Sequence, residues 1–137
     1  MQRDNVTRLL YAYSADSGTV AAGGTATDSI AIEADSDFVI VKQSMHVTDG
    51  AGAALTWDSR IIPNVTLQII DTGSGRQFFD GEQPAANLFG TGEIPFILPA
   101  AQLVRANSVL RVNFTSFEAS ADRRLQLSFI GFKIYEY

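Results

Sequence analysis

Val109-Leu110-Arg111-Val112-Asn113-Phe114 and, after a short polar link, Leu125-Gln126-Leu127-Ser128-Phe129 decide the reading of the fold. In the first run Leu110, Val112 and Phe114 fall on one face, with Arg111 and Asn113 opposite. The second run alternates in the same way. A period of two residues is the signature of a half-buried strand, because successive side chains point to opposite faces. The second run continues through Ile130 to Ile134 and is interrupted by Gly131. A glycine inside a strand suits a bulge or a close backbone approach.

Working outward, Asn64-Val65-Thr66-Leu67-Gln68-Ile69-Ile70 reads as another strand, stopped by Asp71-Thr72-Gly73-Ser74-Gly75. Ile30 and Ile32 alternate with Ala31 and Glu33. A turn at Asp35-Ser36-Asp37 leads into Phe38 to Val47, and Asp49-Gly50 ends that strand. Gly50 to Ala54 reads as a small-residue loop with Trp57 just beyond it. Near the start, Arg8 to Tyr13 is a short apolar and aromatic stretch that ends at Ser14 to Gly18. Ala21-Ala22-Gly23-Gly24 reads as a flexible connection. Arg76 to Pro99 mixes Phe78, Phe79, Leu88, Phe89, Ile94 and Phe96 with glycines and prolines. It reads as a long ordered excursion with one or two short strands and a turn near Pro84-Ala85-Ala86. No segment sustains helical periodicity. About seven or eight strands with turn signals between them imply an all-β chain, an antiparallel β-sandwich of the jelly-roll kind. Residues 1–25 are expected to form an N-terminal arm or peripheral strand, and residues 26–137 the sandwich.

Composition bounds the function. The chain has 137 residues, 46% hydrophobic and 18% charged, which suits one folded domain with an unusually uncharged surface. Its net charge of −5 opposes nucleic-acid binding, which normally relies on a basic field. With no cysteine, neither disulfides nor thiolate metal sites contribute. No apolar run approaches the roughly 18 residues of a membrane helix, and no signal-peptide core follows Met1. Asn5, Asn64 and Asn113 stand in Asn-x-Thr sequons but are better read as ordinary strand and turn residues. A chain made in a cytoplasm, with no membrane partner, is expected.

Candidate chemistry is sparse. Ile69-Ile70-Asp71-Thr72-Gly73-Ser74 matches the active-site loop of aspartic proteases, with Gly90-Thr91-Gly92 as a flap and Phe129-Ile130-Gly131 as the later element. Such an enzyme needs two carboxylates sharing a proton, so a single copy would have to dimerise. Only a short strand-like segment follows Gly131, and the motif sits in the middle of the chain. An Asp opening a glycine turn is the simpler reading of Asp71. His46 lacks a nucleophile or a second histidine beside it. Asp28, Glu33, Asp35 and Asp37 offer oxygen to a cation such as calcium, but without the spacing of a dedicated loop. Arg123 and Arg124 open the last strand and are available to an acidic partner surface. No catalytic, metal or cofactor residue is therefore assigned, and the chain is expected not to be an enzyme.

Four elements in order carry a family resemblance. A strand leads into Asp71-Thr72-Gly73-Ser74-Gly75-Arg76, and Asn87-Leu88-Phe89-Gly90-Thr91-Gly92 follows. Ile94-Pro95-Phe96-Ile97-Leu98-Pro99 then leads to Val104 through Val112, and Leu125 through Ile134 closes the chain. From Leu67 to Tyr135 the chain resembles small structural proteins of tailed-bacteriophage virions. The resemblance implies a jelly-roll-like sandwich on the head, neck or tail and no known reaction. It points first to a capsid decoration or cement protein that binds the major capsid protein or other virion proteins. It further implies a homo-oligomer, with a trimer favoured, located in the virion. A neck, tail or spike component, or a host-glycan adsorption module using Trp57, Phe78 or Phe79, is the alternative. A dimeric aspartic protease is the remote one.

Overall fold

Alternating residues become eight strands in a computed structural model that describes residues 6–49, 64–78, 81–90, 95–119 and 122–136. The strands are β1 (Val6–Val20), β2 (Thr25–Ala31), β3 (Asp37–Asp49), β4 (Val65–Asp71), β5 (Gln83–Pro84), β6 (Phe96–Val104), β7 (Val109–Ser116) and β8 (Arg123–Glu136). A single helical turn, α1 (Ala85–Leu88), follows β5. One sheet has the order β1-β8-β3-β6 and the other β2-β7-β4-β5, and every strand pair is antiparallel. The chain is an all-β sandwich, as its alternation predicts.

The two sheets share one core. Tyr13, Phe38, Ile40, Leu125, Leu127 and Phe129 from the first sheet meet Ile30, Leu67, Ile69, Leu110, Val112 and Phe114 from the second. These are the inward members of the alternating runs, which is why their period could be read from the sequence. Phe89 joins them edge-on to Phe129, with ring centroids 5.6 Å apart. The aromatic-rich excursion is tied down here: Met45 N–H donates to the Gly90 carbonyl at 2.7 Å, and Gly90 N–H to the Gln43 carbonyl at 3.3 Å.

Four local expectations change. β1 does not stop at Tyr13. Ser17 and Gly18 bulge opposite Leu125, and the Ser17 hydroxyl accepts the Leu125 N–H at 2.9 Å. With Gly18 at φ +63°, the bulge absorbs the polar stretch and returns Val20 to the core. Ala21 to Gly24 is a tight turn, closed by Gly24 N–H on the Ala21 carbonyl at 2.8 Å, and not a flexible link. The turn expected near Pro84-Ala85-Ala86 is the junction of β5 with α1, held by the burial of Ala85. The apolar-proline segment belongs to a full edge strand, β6. Its residues Leu98 to Ala101 bulge opposite Val41, and Pro99, lacking an N–H, is tolerated on that edge. The Gly50–Ala54 loop, Trp57, Phe79 and Ile94 lie outside the described residues.

Gly131 is a close-approach glycine. It pairs with Ile40 where β3 shifts register around Val41, and a Cβ at Gly131 would lie 1.7 Å from the Val39 carbonyl oxygen. Backbone cannot yield as a flexible side chain would, so any larger residue must push two central strands apart. Gly131→Ala is therefore expected to cost about 3 kcal/mol, read as a lowered urea midpoint. An unchanged midpoint would show that β3 and β8 separate there at little cost.

Candidate functional site

The inward register of β8 continues past Gly131, so Lys133 points into one end of the sandwich with its side chain only 4% exposed. Its Nζ lies 2.6 Å from Glu33 Oε2, 3.9 Å from Asp35 Oδ1 and 4.1 Å from the centre of the Tyr11 ring. A charge this deep is stable only when paired, and the ring face and two carboxylates supply the pairing. Tyr11 donates to Glu33 Oε1 at 3.3 Å, and Tyr13 oxygen accepts the Glu33 N–H at 3.1 Å. Tyr13 then stacks edge-on against Phe38 at 4.8 Å. The bond to Glu33 holds the lysine well above its ordinary range. The negative Glu33 likewise pushes the Tyr11 phenol up. The cluster clamps β1 and β8 to the β2–β3 connection.

At the other end of the same sheet Arg124 grips Asp16 with two bonds, Nε to Oδ1 at 3.1 Å and Nη2 to Oδ2 at 2.5 Å. That bidentate pairing, more than the Gly18 N–H that also reaches Oδ1, draws the Asp16 carboxyl below its ordinary value. Arg123 lies 3.3 Å from Glu118. Both arginines expected to be available to an acidic partner are thus paired within the chain.

The remaining candidates are dispersed. Asp71 Oδ1 accepts Gly73 N–H at 3.0 Å, the usual way an Asp seeds its own turn, while Thr72 bonds the Val109 carbonyl. Asp28 accepts the N–H groups of Asp16 and Ser29. Asp37 holds Ala106 N–H at 2.8 Å and sits 3.7 Å from Arg105. Glu33 and Asp35 share Lys133, so the four carboxylates offered to a cation are divided among three separate places. Among the described residues no three His, Asp or Glu side chains come together as a metal site. His46 is exposed on the outer side of the first sheet. Phe78 is half-buried against the core with the Arg76 guanidinium 5.8 Å from its ring centre. Asn64, just before β4, bonds the Phe117 carbonyl, and Asn113 on β7 bonds Thr27 and Gln68.

What the residues do build is an asymmetric pair of outer faces. The second sheet turns Thr25, Thr27, Ser29, Arg111, Asn113, Thr115, Thr66 and Gln68 outward, and several bond one another or Glu82. The first sheet turns Leu10, Phe132, Leu103 and Ile97 outward, 69%, 39%, 43% and 67% exposed. At its centre is a depression of about 260 Å³ lined by Arg8, Val39, Val41, Ala101, Phe132 and Ile134. Val39 and Val41, two residues apart on β3, line it together as strand alternation requires. Sheet spacings put this apolar patch at roughly 300 Å², the size that on soluble proteins is often functional. Its signal in the sequence was the second set of alternating residues on β8, Ile130, Phe132 and Ile134, apolar where a solvated face would be polar. Comparison with known proteins finds no matching family model, no matching curated protein and no matching solved structure.

Lys133→Met keeps the aliphatic stem but removes the charge, and the half-exposed Glu33 then turns to water. A loss of about 1–3 kcal/mol in urea denaturation is expected. Wild-type stability, full below the ordinary lysine value of 10.5, should decline as pH rises beyond it, and Lys133→Met should reduce that slope without abolishing it, because the raised Tyr11 phenol acts in the same sense. The sign reverses for Asp16. Its folded carboxyl titrates below its ordinary 3.8, so its contribution is present above that value and lost as pH falls through the lower one. Asp16→Asn should flatten this acid limb of the urea midpoint against pH.

Proposed function

We propose that this chain is a non-enzymatic structural protein of a tailed-bacteriophage virion, a capsid decoration or cement protein that binds the major capsid protein. The reading is carried by the apolar outer face around Phe132, set against a polar face on the other sheet. A domain that solvates one sheet and leaves one end of the other apolar is suited to covering a partner with that end. The strand pairing supports the jelly-roll part of the proposal. β1 with β8, β2 with β7, β3 with β6 and β4 with β5 make one antiparallel ribbon wrapped into two sheets, an arrangement common in viral capsid and lectin domains.

Glycan adsorption has less support among the described residues. Of the three rings proposed to stack on sugar, Phe78 lies half-buried and the other two fall outside those residues. The protease reading has less support than the simpler one, in which Asp71 seeds its own turn through the Gly73 N–H. Placement at the neck or tail draws on the same apolar face and differs in copy number alone.

Phe132→Glu should weaken binding to purified phage heads about tenfold or more, because it would bury a charge without a partner. Thr27→Glu, on the polar face, should bind as wild type. Equal binding by both variants would sink the assignment of this face. Gel-band quantification of particles carries the placement: hundreds of copies are expected for decoration, and a handful would move the protein to the neck or tail.

A further inference from the structure

The four sheet edges are not treated alike. β6 carries Pro99 and a bulge, β5 is two residues long, and on β2 the Ser29 N–H is taken by the Asp28 side chain. Those are the usual devices that keep an edge from pairing with another chain. β1 has none of them between Arg8 and Ser14. Its register with β8 is unbroken from Val6 to Asp16, and it carries no proline or lysine.

The direction of its free hydrogen-bonding groups follows from two contacts. Asp16 N–H points away from β8, to Asp28 Oδ2 at 2.8 Å, while Leu125 N–H points toward β1, to Ser17 Oγ. Alternation along an unbroken antiparallel ladder then turns the N–H and C=O groups of Arg8, Leu10, Ala12 and Ser14 outward. Among the described residues no strand pairs with that side. Leu9 and Leu10 are 51% and 69% exposed there, so both faces of this edge present leucine to water.

We infer that β1 pairs antiparallel with β1 of a second copy about a two-fold axis at Leu10. The register sets Arg8 opposite the partner copy's Ala12 and Leu10 opposite Leu10, and it forms about six backbone hydrogen bonds. A register centred on Arg8 would set like charges face to face. One centred on Ala12 would need the Asp16 N–H, which Asp28 already holds. The chosen register joins two four-stranded sheets into one of eight and brings their apolar outer faces side by side. The joined patch, roughly 600 Å², comes nearer the approximately 800 Å² per partner of a stable protein interface than either face alone. Because identical edges pair, the assembly closes as a dimer, in place of the trimer implied by the family resemblance. Dimerisation does not depend on the virion reading: a dimer that fails to bind heads overturns only that reading.

Light scattering during gel filtration at about 100 μM should give twice the chain mass of 14.8 kDa. Leu10→Pro removes an outward N–H and leaves the β1–β8 ladder intact, so it should give a monomer with a wild-type circular dichroism spectrum. The chain has no cysteine, so Leu10→Cys offers an unambiguous second measurement. Paired residues at this position lie about 5.5 Å apart between Cα atoms, within disulfide reach. Oxidation of Leu10→Cys should yield a covalent dimer, and oxidation of Thr27→Cys, on the other sheet, should not. A monomeric wild type, a trimer, or cross-linking of Leu10→Cys no better than that of Thr27→Cys overturns the inference, whether or not the proline variant folds.

Discussion

The contact between the β3 backbone and Gly131 is the constraint on which the rest of the molecule depends. β8 is flanked by β1 and β3, so the first sheet forms only if β8 approaches both closely. At Gly131 that approach leaves no room for a Cβ. The register shift around Val41 begins at the same place, and it sets which β3 residues face the core before and after it. The inward run of Leu125, Leu127 and Phe129 then carries on to Lys133. One missing side chain thus lets the two central strands meet where the inward run passes on to the buried lysine.

Much of the charge in this protein is committed to contacts within the chain, although Lys133 alone of the charged residues described is buried. Lys133 with Glu33 clamps one end of the first sheet, and Arg124 with Asp16 ties β8 to β1 toward the other. Asp28, Asp37 and Asp71 each accept backbone N–H groups that turns or strand ends would otherwise leave exposed. On the outer side of the first sheet, Ser14, His46 and Gln126 solvate one end, and the apolar residues gather around Phe132 at the other.

The polar face and the apolar face are alternatives open to any two-sheet sandwich. A core needs only the inner sides of both sheets, so each outer side is free to be wet or dry. Here the second sheet takes threonine, serine and asparagine in rows that bond one another, and the first takes aliphatic and aromatic residues around a hollow at one end and polar residues at the other. The division separates a polar side from a more apolar one within one small domain. The β1 edge borders the apolar side, so the pairing inferred there would enlarge the apolar surface and leave the polar one in water.

Alternation by itself determined the strands at 30–32, 38–47, 65–70, 109–114 and 125–134, because half-buried strands must show a period of two. It also marked Gly131 as special, since a glycine there breaks an otherwise continuous run. The extent of β1 was not legible, because its polar middle is stabilised by a bulge and by side chains of β2 and β8 distant in sequence. β6 was hidden for a similar reason: Pro99 and the small residues after it read as a break, and only an edge position makes them acceptable. Whether a carboxylate binds a cation, catalyses or caps a turn depends on which donors lie within about 3 Å of it, and local sequence does not contain that distance. The asymmetry of the outer faces likewise came into view only once the two sheets were assembled, because it is a property of residues gathered from four strands at a time.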